Sequence, residues 1–233
     1  VMPDADIEQA SDALIGAAYG SAGERCMAIS VAVAIGDSAD KLIENITPKI
    51  KDIKVGPYND KSSEMGPVVS KDAFDRINGL IESGVEEGAN LVVDRREIKL
   101  QGYENGYFIG PCLFDNVKSN MKIYKEEIFG PVLSIVRAES YDEGLKLVKE
   151  NPYGNGCSIF TRDGDTARNF SYEANIGMVG VNIPIPVPVA AFSFGGWKNS
   201  IFGGHNAFGM EAVRFYTHTK TITSKWPEGV RKG

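Results

Sequence analysis

The feature that most restricts the fold of this chain is a repeated change between two hydrophobic periodicities. Short apolar runs, such as residues 31–35, 132–136 and 178–181, alternate with segments in which apolar residues recur every three or four positions. The first pattern is typical of buried strands and the second of amphipathic helices. Strands separated by helices form parallel crossover units. The sequence therefore predicts an α/β fold: an open, mostly parallel sheet with helices on both faces.

The predicted helices carry their own start signals. Residues 3–6 place two aspartates at the beginning of a helix that Gly20 is expected to end. Ser70 is placed to cap a helix whose apolar face extends to Val85, and Ser140 opens a capping box. Because ligands on a parallel sheet gather where its strands end, the segments that join strands to helices are where a site is expected.

Composition narrows the class of protein. The 233 residues are 42% hydrophobic and 24% charged, which is enough apolar material for a sizeable core. The net charge of −6 argues against a nucleic-acid-binding surface. No apolar run approaches the ~20 residues of a membrane-spanning helix, and no secretory leader is visible, so no membrane partner is expected. Three scattered cysteines fit neither a disulfide framework nor a metal site, which predicts a reducing, cytoplasmic location.

Cys26 is the candidate for chemistry. It follows the glycine-punctuated segment 20–25, between a predicted helix and an apolar strand, and Arg25 precedes it directly. A neighbouring cation and partial exposure lower a thiol's pKa and favour the reactive thiolate. Cys26 could equally be a small core residue at the start of the strand, since free cysteine is often buried. Cys112 and Cys157 lie within apolar runs and are expected to be core residues.

Three segments resemble the signatures of one enzyme family, in the expected order. Gly-Glu-Arg-Cys-Met-Ala at 23–28 resembles the nucleophile motif of the aldehyde dehydrogenase superfamily. Glu-Glu-Ile-Phe-Gly-Pro-Val at 126–132 and Phe-Ser-Phe-Gly-Gly-Trp-Lys-Asn-Ser at 192–200 resemble its second and third signatures. The Glu-Arg pair before the cysteine resembles the acylating methylmalonate-semialdehyde dehydrogenase branch. The resemblance covers essentially the whole chain but only the C-terminal half or so of such an enzyme.

The resemblance implies a domain organisation. Residues 1–216 would form the catalytic, thiol-bearing domain, and residues 217–233 a C-terminal oligomerisation strand and tail. The NAD-binding domain would be absent from this chain, which we interpret as a fragment because it begins on Val1. The Thr-rich alternation of 220–225 independently predicts an exposed edge strand, and such an edge is a template for pairing in a homo-oligomer.

The resemblance also implies a reaction. Cys26 would attack an aldehyde, hydride would pass to NAD, and the resulting thioester would be opened by coenzyme A or by water. In the family, the residue matching Glu127 accepts hydrogen bonds from the nicotinamide ribose and the residue matching Phe129 packs by the nicotinamide ring. A carboxylate is an acceptor suited to a vicinal diol. Judged without the motif, Glu127 would be a solvated turn residue and Phe129 a core residue.

Arg25 has three possible roles. It could hold a substrate carboxylate with bidentate hydrogen bonds, as malonate or methylmalonate semialdehyde would require. It could lower the pKa of the Cys26 thiol, or it could be a solvated residue or one paired with Glu24. The first role implies oxidation to a thioester that loses carbon dioxide, giving propionyl- or acetyl-coenzyme A.

Other functions stay open at this point. One is an aldehyde dehydrogenase for another acidic semialdehyde, with hydrolytic deacylation, and another is a non-catalytic assembly fragment. A cysteine hydrolase would need His205 or His218 as its base, and neither histidine lies in a motif that implies this role. Asn182 and the Gly195-Gly196 pair could approach a substrate or could be plain turn structure.

Overall fold

The computed structural model describes residues 1–227, and its elements alternate as the periodicities predict. The helices are α1 (Ile7–Tyr19), α2 (Ser38–Asp52), α3 (Lys71–Glu86), α4 (Lys122–Lys125), α5 (Tyr141–Glu150), α6 (Gly164–Glu173) and α7 (Gly209–Tyr216). The strands are β1 (Val31–Ile35), β2 (Asn90–Val93), β3 (Cys112–Asp115), β4 (Val132–Ala138), β5 (Tyr153–Gly154), β6 (Gly156–Ile159), β7 (Met178–Val181) and β8 (Trp197–Lys198). A 3-10 turn, Gly20–Gly23, joins α1 to the segment before β1.

The main sheet has four strands in the order β1-β4-β3-β2. β1 and β3 both run parallel to β4, and only β2 is antiparallel, so the predicted mostly parallel α/β sheet is confirmed. The remaining strands form two smaller sheets, a parallel pair β6-β7 and an antiparallel pair β5-β8. The strands therefore do not form one continuous sheet within residues 1–227.

Helices cover the main sheet on both faces. All five residues from Val132 to Val136 are buried, although successive side chains of a strand point to opposite faces. On one face α5 packs directly against β1. The contact is so close that a Cβ atom on Gly144 would lie 2.6 Å from Cδ1 of Ile35. The core reaches through β3, where Cys112 is fully buried as predicted.

The predicted helix starts are confirmed by their capping bonds. Asp6 accepts a hydrogen bond from the backbone of Gln9 at 3.1 Å, and Ser70 accepts one from Ala73 at 3.1 Å. The prediction for Val85 was wrong, because its side chain is 46% exposed. Gly84 occupies the buried position instead, with Ile123 of α4 packed where a side chain would otherwise stand.

The predicted edge strand at 220–225 lies in a segment, 217–227, that is exposed and pairs with no strand among residues 1–227. The pairing of this segment with another chain therefore stays a prediction. The last part of the predicted tail, 228–233, lies outside the described residues. None of the helices within residues 1–227 is both long and apolar enough to cross a membrane.

Candidate active site

The chain reverses sharply between α1 and the candidate nucleophile. Ser21 and Ala22 both have φ of +54°, and Gly23 has φ of +71°. Residues other than glycine rarely adopt this left-handed backbone conformation, which costs about 1 kcal/mol for each such residue. The reversal is followed at once by a second turn, in which the backbone of Ala28 donates to the carbonyl of Arg25 at 3.0 Å. Cys26 therefore stands on a tight turn at the protein surface.

The three thiols differ in accessibility. Cys26 is exposed, Cys112 is buried and Cys157 is half-buried. Burial raises the pKa of Cys112 to about 12 and also raises the pKa of Cys157. The alternative that Cys26 is a small core residue does not hold, because its side chain faces solvent. Cys26 is the thiol most open to an external electrophile.

Backbone contact joins the first signature segment to the second. A Cβ atom on Gly23 would lie 2.0 Å from the carbonyl oxygen of Gly130, so only glycine fits at this contact. Gly130 is itself packed against α3, where a Cβ atom would lie 2.6 Å from Cδ1 of Ile77. The turn that carries Cys26 and the loop that carries Glu127 and Phe129 are thus held against each other.

Arg76 of α3 holds this second loop from behind. Its Nη1 donates to the carbonyl oxygens of Glu127 at 3.1 Å and Ile128 at 2.6 Å. Ile128 is buried, Phe129 is half-buried with φ of +47°, and the Glu127 side chain is exposed. The Glu127 carboxylate is therefore exposed to solvent, while the backbone of its loop is held by Arg76 and by the contacts of Gly130. Sequence reasoning missed Arg76, because its acceptors are backbone oxygens about fifty positions along the chain.

Arg25 lies over the end of α1. Its Nε is 3.4 Å from Oγ of Ser21, and a Cβ atom on Gly20 would lie 2.6 Å from its Nη1. The predicted alternative of a pair with Glu24 does not form: the Glu24 carboxylate accepts from the backbone of Val69 at 3.3 Å. Arg25 is exposed, and its two terminal nitrogens have no hydrogen-bonded acceptor within residues 1–227. They are available to an anionic ligand.

The remaining candidates make structural contacts. Asn182 uses both ends of its amide on Thr161, accepting from its N–H and donating to its carbonyl oxygen, each at 3.0 Å. Gly195 packs against Asn206, where a Cβ atom would lie 2.2 Å from Oδ1. His205 Nδ1 lies 2.9 Å from the carboxylate of Glu211, whose pKa it lowers. No histidine in the described part of the chain hydrogen-bonds Cys26, so a cysteine–histidine pair is not formed here.

Lys198, in the third signature segment, hydrogen-bonds to the C-terminal end of α5. Lys198 donates from Nζ to the carbonyl oxygens of Val148 at 2.9 Å, Lys149 at 3.1 Å and Asn151 at 2.9 Å. These are the carbonyls that the last turn of a helix leaves unsatisfied, and a cation is favoured there. Lys198 therefore serves as a helix cap, and the β5-β8 pairing places Trp197 beside Gly154.

Comparisons with known proteins point to one enzyme family. Residues 1–222 match the model of the aldehyde dehydrogenase family. Malonate-semialdehyde dehydrogenase of Pseudomonas aeruginosa is 56% identical over 229 residues, which are 98% of this chain and 46% of that protein. The human mitochondrial methylmalonate-semialdehyde/malonate-semialdehyde dehydrogenase [acylating] is 47% identical over 228 residues, which are 98% of this chain and 42% of that protein.

A solved structure shares the fold closely. It comes from Sinorhizobium meliloti, is provisionally assigned as a methylmalonate-semialdehyde dehydrogenase, and is complexed with NAD. It superposes with a TM-score of 0.96 at 61% identity, over 99% of this chain and 47% of that one. The chain thus spans about half the length of the relatives that it matches.

Proposed function

The chain belongs to the aldehyde dehydrogenase family, and we propose that it forms the thiol-bearing half of an NAD-dependent, acylating methylmalonate- or malonate-semialdehyde dehydrogenase. The observation that carries this proposal is the contact between Gly23 and Gly130, which holds the exposed Cys26 turn against the loop of Glu127 and Phe129. The names of the matched relatives support the substrate class.

Cys26 acts as the nucleophile. Its thiolate sulfur bonds to the aldehyde carbon, and the carbonyl oxygen becomes an oxyanion that needs a preorganised donor. The backbone N–H of Cys26 can be that donor, because it has no acceptor among the backbone bonds of residues 1–227. Collapse of the oxyanion expels hydride and leaves a thioester on the sulfur.

Glu127 and Phe129 hold the cofactor in this proposal. NAD supplies the hydride acceptor when it is bound. The Glu127 carboxylate fits the ribose diol chemically, since it only accepts hydrogen bonds and none of the described residues donates to its side chain. The ring of Phe129 is half-exposed on the same loop and can cover one face of a planar group. Arg76 is a positioning residue that acts through the backbone of this loop.

Arg25 recognises the substrate carboxylate in this proposal. Its terminal nitrogens form the planar fork that binds a carboxylate with two parallel hydrogen bonds. A carboxylate on the carbon next to the thioester carbonyl can leave as carbon dioxide, with its bonding electrons forming an enolate that is then protonated. Methylmalonate semialdehyde gives a propionyl thioester and malonate semialdehyde an acetyl thioester.

Coenzyme A is the proposed acceptor of the acyl group. Its thiolate can replace the sulfur of Cys26 at the acyl carbon, which forms one carbon–sulfur bond and breaks another with little change in bond energy. The full-length enzyme should form propionyl-coenzyme A from methylmalonate semialdehyde, with one NADH formed for each molecule of carbon dioxide released. Release of free propionate at the same rate, with or without coenzyme A, would replace acyl transfer by hydrolysis.

Changing Glu127 to glutamine tests the cofactor role. The side chain keeps its size but presents an amide donor towards the ribose hydroxyls, so the KM for NAD should rise about tenfold or more, or hydride transfer should slow by a similar factor. Glu126→Gln is the matched control, because the neighbouring carboxylate is also exposed. Equal kinetics for the two variants would reduce Glu127 to a turn residue.

Alkylation of the isolated chain tests the nucleophile's environment. Iodoacetamide should label Cys26 at least about tenfold faster than Cys112, because the thiolate is the reacting species and burial holds the pKa of Cys112 near 12. Peptide mass spectrometry after timed quenching measures both rates in one sample. Similar rates would favour the reading of this chain as a non-catalytic assembly module.

The C-terminal segment is proposed to pair with a second copy of the chain. Ile222 is 77% exposed and Trp226 is 86% exposed, which is unusual for such large apolar side chains. An unpaired strand with apolar residues on it is a template for β-pairing between subunits. Deleting residues 220–227 should therefore shift the full-length protein to a smaller assembly in sedimentation velocity.

A further inference from the structure

The side chain of Met27, directly after Cys26, meets a segment far along the chain. The amide Nδ2 of Asn155 donates a hydrogen bond to Sδ of Met27 at 2.9 Å, across 128 positions of sequence. Both residues are half-buried. A thioether sulfur has no hydrogen to donate, so only the NH2 end of an amide can bond to it, and this fixes the orientation of the Asn155 side chain. The turn that carries Cys26 is thus bonded to a distant part of the fold through Met27.

Packing reinforces this hydrogen bond. A Cβ atom on Gly156 would lie 2.7 Å from Cε of Met27 and 3.2 Å from Cγ of Pro186, so glycine leaves the room that the methyl group occupies. The Met side chain is unbranched and flexible, and contacts at both its sulfur and its methyl group restrict it more than either contact alone. Asn155 and Gly156 supply these two contacts from adjacent positions.

The backbone that carries Asn155 is held by β7 and by the third signature segment. The carbonyl oxygen of Asn155 accepts a hydrogen bond from Met178 at 3.1 Å. The N–H of Gly154, the preceding residue, donates to Oγ of Ser200 at 3.0 Å. A Cβ atom on Gly196 would lie 3.1 Å from Cα of Asn155. Asn155 therefore stands on a fixed backbone, as a residue that orients a flexible neighbour must.

The Cys26 side chain is exposed, so its direction is set by the backbone of its turn rather than by packing. The hydrogen bond of this turn, from Ala28 to Arg25, spans Cys26 and Met27. The contact with the second signature segment holds the chain before Cys26, whereas Met27 is the residue directly after it. A nucleophile that is misplaced by about 1 Å can lose about a hundredfold in rate.

We propose that Asn155 is a positioning residue for the nucleophile: by holding Met27, it keeps the turn in the geometry from which Cys26 attacks. The kinetic part of this inference rests on the proposed function, but the hold on the turn can be measured without catalysis. Loss of Asn155 should slow the covalent step. It should leave the binding of substrate and cofactor, assigned above to Arg25 and Glu127, nearly unchanged.

The kinetic test uses the full-length enzyme with Asn155→Leu, which keeps the approximate size of the side chain and removes its donor. Single-turnover NADH formation, with coenzyme A omitted, reports the steps up to the thioester. Its maximal rate should fall about tenfold, while the concentrations of NAD and semialdehyde that give half of that rate stay within about twofold of wild type. Ser158→Ala is the matched control. It removes a hydrogen bond to the carbonyl of Pro184 on the neighbouring strand β6 and should leave the rate within about twofold.

A double-variant cycle with Met27→Leu shows whether Asn155 acts through Met27. Leucine conserves the volume of Met27 and removes the sulfur acceptor, so this variant should slow the same step by a similar factor. If the two residues act as one unit, the double variant should be no slower than the slower single variant, whereas independent roles would multiply to about a hundredfold. Multiplied effects, or a single variant within about twofold of wild type, would overturn the proposal. Met27→Leu alone decides it if Asn155→Leu fails to fold.

Hydrogen exchange tests the hold on the turn without any reaction. The amide of Ala28, which donates within the turn, should exchange at least about fivefold faster in Asn155→Leu than in wild type. The amide of Glu24, which donates to Ser21 at 3.0 Å, is the internal reference and should not change. If the wild type forms no NADH from a semialdehyde, the proposed function fails and the exchange of Ala28 decides this inference alone. Equal exchange of Ala28 in the two proteins would mean that packing suffices to hold Met27, and it would overturn the role of Asn155.

Discussion

Replacing Cys26 with alanine in the full-length enzyme is expected to lower NADH formation by about a thousandfold or more, because no covalent intermediate can form. The melting temperature should barely change, since the side chain is exposed and packs into no core. Steady-state absorbance gives the rate. Mass spectrometry of the quenched enzyme, with coenzyme A omitted, should show an acyl group on the Cys26 peptide of the wild type and none in the variant.

Cys157→Ala is the matched control for this prediction. Cys157 is half-buried on β6 and burial raises the pKa of its thiol, so we expect it to take no part in the reaction. Its loss should leave the rate within about twofold, as expected for a mild packing change. Residual activity of Cys26→Ala above about a thousandth of wild type would remove Cys26 from the role of nucleophile.

Replacing Arg25 with leucine is expected to separate acidic aldehydes from neutral ones. The KM for methylmalonate or malonate semialdehyde should rise by a factor of about 10 to 1,000, the equivalent of roughly 1.5 to 4 kcal/mol for a charged, hydrogen-bonded contact. Propanal has no carboxylate and should be affected much less. The informative quantity is the change for the acidic aldehyde divided by the change for propanal.

The alternative role of Arg25 gives a different result in the same experiment. If the guanidinium mainly lowers the pKa of the Cys26 thiol, both aldehydes should lose rate together. The pH profile of Cys26 alkylation would then move to higher pH in the variant. A ratio near one would contradict carboxylate recognition and remove the physical reason for preferring an acidic semialdehyde. Arg25→Lys keeps the charge without the fork, and it should restore the alkylation profile more fully than the KM.

Local elements of the fold could be predicted because their signals lie within a few residues. The capping serines and aspartates located the starts of α1, α3 and α5, and the apolar runs at 31–35, 132–136 and 178–181 located β1, β4 and β7 to within one or two residues. The division into a four-stranded sheet and two pairs could not be predicted, because strand order depends on contacts between distant segments. The prediction for Val85 was wrong for a related reason. Helical spacing allows either of two adjacent residues to face the core, and the packing of Ile123 places Gly84 there.

The motifs nominate the residues of the candidate site, whose roles stay predictions, but not the geometry that holds them. The motifs identified Cys26, Arg25, Glu127 and Phe129, and the exposure of Cys26 agrees with a reactive thiol. Nothing in the sequence shows that Arg76 holds the Glu127 loop, since its acceptors are backbone oxygens that every residue possesses. Asn182 directly follows β7, where a substrate could approach, yet only the structure shows that both ends of its amide are hydrogen-bonded to Thr161.

The left-handed run before Cys26 has a consequence for the order of folding. Ser21 and Ala22 together cost about 2 kcal/mol in this conformation, so the isolated segment has no tendency to form the turn by itself. The turn becomes stable only when Gly23 docks on Gly130, which requires β4 and α3 to be in place. We therefore expect the turn that carries Cys26 to form only after β4 and α3 have packed together.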